Sequence, residues 1–192
     1  MSGNQPVIIY ISAASDLLAE REALARMIAE LPVTLAWRIL QSPTEAEPVD
    51  AEALVKANLY ILVMGSDIRA PVGLELHTAR RANKTPLAFA KRGVSYTPAG
   101  DVFIKENRRY LNWRPFTNTA NLNHQVQRLV VRHLLDQAIV YALTPPEIAA
   151  LEQLLRRGSG ENRPLEAEGA GHSAVILSRE RYLPSEGTII EE

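Results

Sequence analysis

One acidic side chain, Glu75, stands where a strand-helix-strand unit would put chemistry. Leu59 to Met64 is a continuous apolar run that reads as a strand buried on both faces, and Gly65-Ser66-Asp67 break it with turn residues. Pro71, Val72 and Gly73 lead into a helix predicted over Leu74 to Asn83, which Thr85-Pro86 end ahead of a second apolar run, Leu87 to Ala90. Strand, crossover helix and strand imply a parallel sheet with its ligand crevice beyond the carboxyl ends of the strands. On this reading Glu75 lies in the first helical turn and faces that crevice. The positive end of the helix then keeps it ionised at neutral pH, as a nucleophile, an electrostatic stabiliser or a ligand for hydroxyls. The same acid would also serve its own helix, by about 0.3 to 1 kcal/mol.

The elements that would position it follow in order. Val7 to Ser12 is β-branched and aromatic, a first strand closed by Ala13, Ala14 and Ser15. Ser15 is placed to cap a helix over Asp16 to Leu31, whose apolar stripe is Leu17, Leu24, Ile28 and Leu31; Pro32 stops it. Arg21 on this helix is read as pairing with an acid, Asp16 or Glu20. Val33 to Leu40 alternates apolar and polar residues, as a strand near a sheet edge does. Gln41 to Pro48 is an exposed loop and Asp50 to Ala57 a short helix. After Ala90 a long irregular segment leads to Thr97, a cap with Pro98 at the first helical position, then a helix to Asn107 and a last strand at Tyr110 to Trp113. Leu122 to Leu143 is a long amphipathic helix, and Thr144-Pro145-Pro146-Glu147 is a capping box that opens a helix to Arg157. Gly158 to Gly171 is nearly free of apolar residues and reads as flexible, while Ala174 to Leu177 regains strand character suited to docking.

Composition narrows the function classes. The chain has 192 residues, 46% hydrophobic and 22% charged, which suits one core with a small appendage. Without cysteine, disulfides, thiol catalysis and zinc-cysteine sites are excluded. The four histidines show no i, i+4 pairing, so no metal site is expected. The net charge of -1 and the scattering of basic pairs argue against nucleic acid as a partner. No apolar run is long enough for a bilayer, and no basic region precedes the first apolar run, so a cytoplasmic protein without a membrane anchor is expected. No glycine-rich phosphate loop occurs, leaving ATP hydrolysis and nicotinamide redox chemistry without support.

Two stretches carry a resemblance to a known family. Tyr10-Ile11-Ser12, Asp16-Leu17, Glu20-Arg21 and Ala23-Leu24 resemble the opening of a bacterial domain family of unknown function that often precedes signalling NTPase or helical-repeat modules, with Ala13 and Ala14 where that family has hydroxyl residues. The family is similar in layout to TIR domains and nucleoside deoxyribosyltransferases, which share a flavodoxin-like parallel sheet. Gly73-Leu74-Glu75-Leu76, with Ala79 one turn on and the Lys84-Thr85-Pro86 step, carries the second half of the resemblance. It implies that Glu75 corresponds to the glutamate that attacks the sugar C1' in the transferases and supports nicotinamide-ribose cleavage in catalytic TIR domains. Ribosyl chemistry also needs a polar wall for the ribose hydroxyls. Ser12, Ser15 and Asp16 on the first loop, with Ser66, Asp67 and Arg69 on the third, are the candidates for that wall, although all are also ordinary turn and cap formers.

The expectation is therefore a flavodoxin-like (TIR-like) α/β domain over residues 5–143, a packed helical extension over 144–157 and a flexible linker with a docking tail over 158–192. Its leading function is nucleotide recognition in bacterial signalling or defence, with NAD or a related nucleotide as substrate for N-glycosidic cleavage and no cofactor. The competing class is a catalytically silent scaffold that recruits a protein partner through the C-terminal helices and tail, with homo-oligomerisation left open. A true deoxyribosyltransferase fits less well, because those enzymes end near the last strand.

Overall fold

The structure is a computed structural model that describes residues 6–43, 48–68 and 70–160. Five parallel strands form one sheet: β1 (Val7–Ala13), β2 (Trp37–Gln41), β3 (Leu59–Met64), β4 (Leu87–Lys91) and β5 (Arg114–Phe116), in the order β2-β1-β3-β4-β5. That order, with helices on both faces, is the flavodoxin-like α/β arrangement. Its topological switch point lies between β1 and β3, which pair with Tyr10 opposite Tyr60 and Ser12 opposite Leu62.

Strand alternation sorts the core into two halves. Ile9, Ile11, Ile61, Val63 and Phe89 point to one face. There they meet Leu24 and Ile28 of α1 (Leu18–Ala29) and the stripe Leu122, Val126, Val130 and Leu134 of α5 (Thr119–Asp136). The opposite face carries Tyr10, Tyr60, Leu62 and Met64. It is covered by Leu54 of α2 (Ala51–Lys56), Val72, Leu76 and Ala79 of α3 (Ala70–Arg81), and Ile104 of α4 (Pro98–Asn107). β1 and β3 are thus buried on both sides, as their apolar runs require, whereas β2 lies at an edge with its residues only partly covered.

The last described helix, α6 (Pro145–Gly160), continues the first core half instead of standing apart from it, because Leu151 is fully buried among the α1 and α5 residues. Its start is the expected capping box: Glu147 accepts from the Thr144 backbone N–H at 2.8 Å and from its hydroxyl at 2.7 Å. The other oxygen of Glu147 accepts from the Thr34 hydroxyl at 2.7 Å and from the Thr34 N–H, so one carboxylate closes the helix and ties it to the segment before β2. These bonds, that from the Thr34 hydroxyl foremost, hold its pKa down to about 2.

Several boundaries differ from expectation. α3 begins at Ala70, since proline is tolerated in a first turn and Pro71 starts the helix rather than preceding it. Glu75 is therefore in the second turn, not the first. Strand pairing of β2 starts only at Trp37, and the last strand is Arg114–Phe116 rather than Tyr110 to Trp113, set by pairing of Phe89 with Arg114 and Lys91 with Phe116. α5 stops at Asp136, and turns fill residues 137–142, with Ala142 at φ 51°. Ser15 lies inside a 3-10 turn, Ser15–Leu17, whose cap position is Ala14, so it is not the cap. α6 runs on to Gly160 rather than ending at Arg157, so the expected linker does not begin at Gly158; the rest of the linker and the docking tail, including Ala174 to Leu177, lie outside the described residues. Among the described residues no helix is long and apolar enough to cross a membrane.

Candidate functional site

Period-two alternation puts Tyr10 and Ser12 on the same face of β1, the face that α3 covers, and Glu75 projects from α3 between them. The Tyr10 hydroxyl donates to Glu75 Oε1 at 2.8 Å. The Ser12 hydroxyl donates to Oε2, and so does that of Ser42, at 2.7 Å. Ser42 follows β2 and extends its pairing with β1: its N–H donates to the Ile11 carbonyl at 3.0 Å, and its hydroxyl accepts from the Ala13 N–H at 3.1 Å. One carboxylate thereby joins the carboxyl ends of β1 and β2 to the helix that follows β3.

The ring is closed from solvent. Glu75 and Ser12 are 0% exposed, Tyr10 1% and Ser42 4%. Tyr60 packs edge-on against Tyr10, ring centroids 6.1 Å apart, and among the described residues its buried hydroxyl has no hydrogen-bond partner. Arg21 reaches over from α1, with Nε donating to Gln41 Oε1 at 3.2 Å and Nη2 to the Ser42 carbonyl at 2.7 Å. It pins the end of β2 through these neutral groups and does not pair with Asp16 or Glu20.

Burial decides the ionisation of this carboxylate. Desolvation pushes the Glu75 carboxyl up from its ordinary 4.5, while the Ser12, Ser42 and Tyr10 hydroxyls and the charge of Arg21 pull it down without cancelling the rise. The helix terminus is not what governs this carboxyl, because the terminal field fades within the first turn and Glu75 sits in the second, away from water. Desolvation, with the neighbouring Glu75 charge, also drives the Tyr10 hydroxyl far up, and burial does the same for Tyr60, so both hydroxyls stay neutral and Tyr10 acts as a donor. Burial lowers Arg21, against the opposing field of Glu75.

The remaining expected wall residues form separate knots. Asp16 Oδ2 accepts from the Ser66 N–H at 3.1 Å and the Ser66 hydroxyl at 3.0 Å, linking the loops after β1 and β3. This carboxylate fills the space where a side chain on Gly65 would start, so any larger residue at 65 has to push Asp16 off this tie. Asp67 Oδ1 accepts from the Ile68 N–H at 2.8 Å and from the Thr97 hydroxyl, and Thr97 in turn caps α4. Glu20, 6% exposed, pairs with Lys91 at the end of β4 at 2.7 Å. Of the four candidates whose side chains are described, Ser12 alone touches Glu75; Asp16 with Ser66, and Asp67 with Thr97, are loop ties. Ser15 contributes backbone to the first turn, and Arg69 lies outside the described residues.

Sequence reasoning missed Tyr10, Ser42, Tyr60 and the place of Arg21. Tyr10 was legible, since it is two residues before Ser12 on one strand face. Ser42 had no local signal; only the pairing of β2 with β1 brings it there. Among the described residues no group of three or more His, Asp or Glu could hold a metal ion. Chemically, the arrangement is a desolvated carboxyl with alcohol donors on both oxygens, suited to recognising hydroxyls or to accepting positive charge that develops beside it. No protein-family model, no curated protein and no solved structure matches the chain.

Proposed function

We propose that this chain is a TIR-like nucleotide-recognition module of bacterial signalling or defence, in which Glu75 serves hydrolysis of the N-glycosidic bond of NAD or a related nucleotide. The observation that supports this reading is the ring of three alcohols around one buried carboxylate near the switch point of a parallel sheet. A ribose diol offers the same donors as Ser12 and Ser42, so the sugar would exchange its hydroxyls for theirs on Oε2. In the reaction the bond from C1' to the nicotinamide nitrogen breaks, its electron pair leaves with nicotinamide, and water supplies the oxygen at C1', giving ADP-ribose and a proton. The Glu75 carboxylate stabilises the oxocarbenium-like centre, Tyr10 holds the other carboxylate oxygen, and the low-dielectric surroundings strengthen both effects.

A second reading has its own observation. Glu75 is fully buried with both oxygens already occupied, which suits a structural pin in a catalytically silent interaction domain. Incubating the protein with NAD and, separately, with deoxynucleosides, and measuring released nicotinamide or free base by chromatography, separates the two. Turnover by the wild type that Glu75→Gln abolishes supports the enzyme. Absence of turnover, or equal traces from both proteins, leaves the interaction domain.

A further inference from the structure

We propose that the hollow between β5 and α5 binds a phosphorylated small molecule, whose phosphoryl oxygens are held by the guanidinium groups of Arg114, Arg128 and Arg132. The hollow has a volume of about 290 Å³ and is lined by these three arginines with Gln125 and Leu129. Gln125, Arg128, Leu129 and Arg132 share one face of α5 through their i, i+3, i+4 and i+7 spacing, and Arg114 comes from the neighbouring strand. The amide of Gln125 is already used: it donates to the Pro115 carbonyl at 2.8 Å and to Asn121 Oδ1 at 3.0 Å, which fastens β5 to α5 beside the hollow.

The three guanidiniums are unengaged among the described residues. Among the described residues none of them forms an ion pair or a hydrogen bond, and no acid lines the hollow. Asp136 is one turn beyond Arg132 without pairing to it, and Glu152 is engaged by Arg156 at 3.6 Å. Arg114 and Arg128 are half-buried, so their charges are less screened than those of an ordinary surface side chain. Arg128 and Arg132, at i, i+4, repel each other. A multiply charged anion converts that repulsion into charge-assisted bonds, and the planar fork of arginine matches phosphate oxygens two at a time.

The size of the hollow points to a small ligand rather than a macromolecule, at the lower end of what ligand pockets enclose. The balanced net charge of -1 lacks the broad basic field that a nucleic-acid backbone needs. Arg128 also lines a second hollow of about 130 Å³ that carries Arg157 and the apolar Val131 and Leu154, so a phosphate chain has a continuation along α5 and α6. The site lies on the sheet face opposite Glu75, since α5 packs with Ile9, Ile61 and Val63 while α3 packs with Tyr10 and Leu62. It therefore stands independently of the reaction proposed above.

Isothermal titration of the full chain with inorganic phosphate, inorganic pyrophosphate and ADP, at ionic strength held constant with chloride, tests the site. Saturable one-to-one binding of pyrophosphate is expected, weakened at least tenfold by Arg114→Gln and by Arg128→Gln. Both variants should keep the wild-type melting temperature without ligand. Arg81→Gln, an exposed arginine on α3, should bind as the wild type does. ADP binding as well as pyrophosphate identifies a nucleotide as the source of the phosphates; binding of the inorganic anions alone identifies free phosphate, and either result supports the site. No saturable binding of any of the three, or equal weakening by Arg81→Gln, overturns it.

Discussion

Replacing Glu75 by glutamine, and separately by alanine, separates the buried charge from the hydrogen bonds that hold it. Alanine deprives three buried hydroxyls, those of Tyr10, Ser12 and Ser42, of their shared acceptor. An unsatisfied buried group costs about 1 to 3 kcal/mol. Ser42 keeps its bond from the Ala13 N–H and hydroxyls can rotate, so the lower end applies, and Glu75→Ala should lose about 3 kcal/mol in all. Glutamine keeps the volume, its carbonyl accepts as the carboxylate did, and its amide can donate to a rotated serine. It also removes a desolvated charge, so Glu75→Gln should lie within about 1 kcal/mol of the wild type at neutral pH. The pH dependence carries the sharper test. Because the folded carboxyl is raised above 4.5, the folded state holds the extra proton, and the contribution of this group is fully present below 4.5 and lost as pH rises through the folded value. The wild type should weaken relative to Glu75→Gln as pH climbs from 4.5, with a slope approaching about 1.4 kcal/mol per pH unit between the two values. Urea unfolding at successive pH values reads both quantities. A glutamine variant as unstable as the alanine variant, or one that leaves the relative slope flat, would refute the picture of a desolvated acid satisfied by alcohols.

Two other perturbations follow from the same structure. Glu147 has the opposite sign: its folded pKa is depressed to about 2, so the tie from Thr34 and Thr144 is present above 4.5 and lost as pH falls through about 2. In acid titrations followed by circular dichroism, Glu147→Gln should therefore unfold earlier than the wild type near neutral pH in denaturant, and the difference should vanish below pH about 2; a constant difference would contradict the assignment. Gly65→Ala forces the Asp16 carboxylate off Ser66 and should cost about 1 to 3 kcal/mol in thermal or urea unfolding. With Asp16→Ala already present, the same change should cost almost nothing, and additive losses would show that Asp16 is not what fills the space.

Much of the scaffold was legible in the chain itself. The β-branched and aromatic run from Val7 announces a strand, the unbroken apolar run at Leu59–Met64 a strand buried on both sides, and the Thr144 to Glu147 box its helix, because period and capping are local properties. Glu75 could be singled out as an acid at the sheet end, but its state could not. An added first turn moved it away from the helix terminus, and burial under α3 replaced the field of that terminus with desolvation. The polar wall was legible only in part. Asp16, Ser66 and Asp67 each have a donor or acceptor on a neighbouring loop, so they tie loops together rather than meeting at Glu75. Sequence alone determined which side chains share a strand face, so Tyr10 and Ser12 were committed to one side from the start. Only the order β2-β1-β3, which lets residues 33 to 65 positions apart meet across the pairing of three elements, decided that Ser42 and Glu75 would join them, since those hydrogen bonds depend on which strands lie side by side.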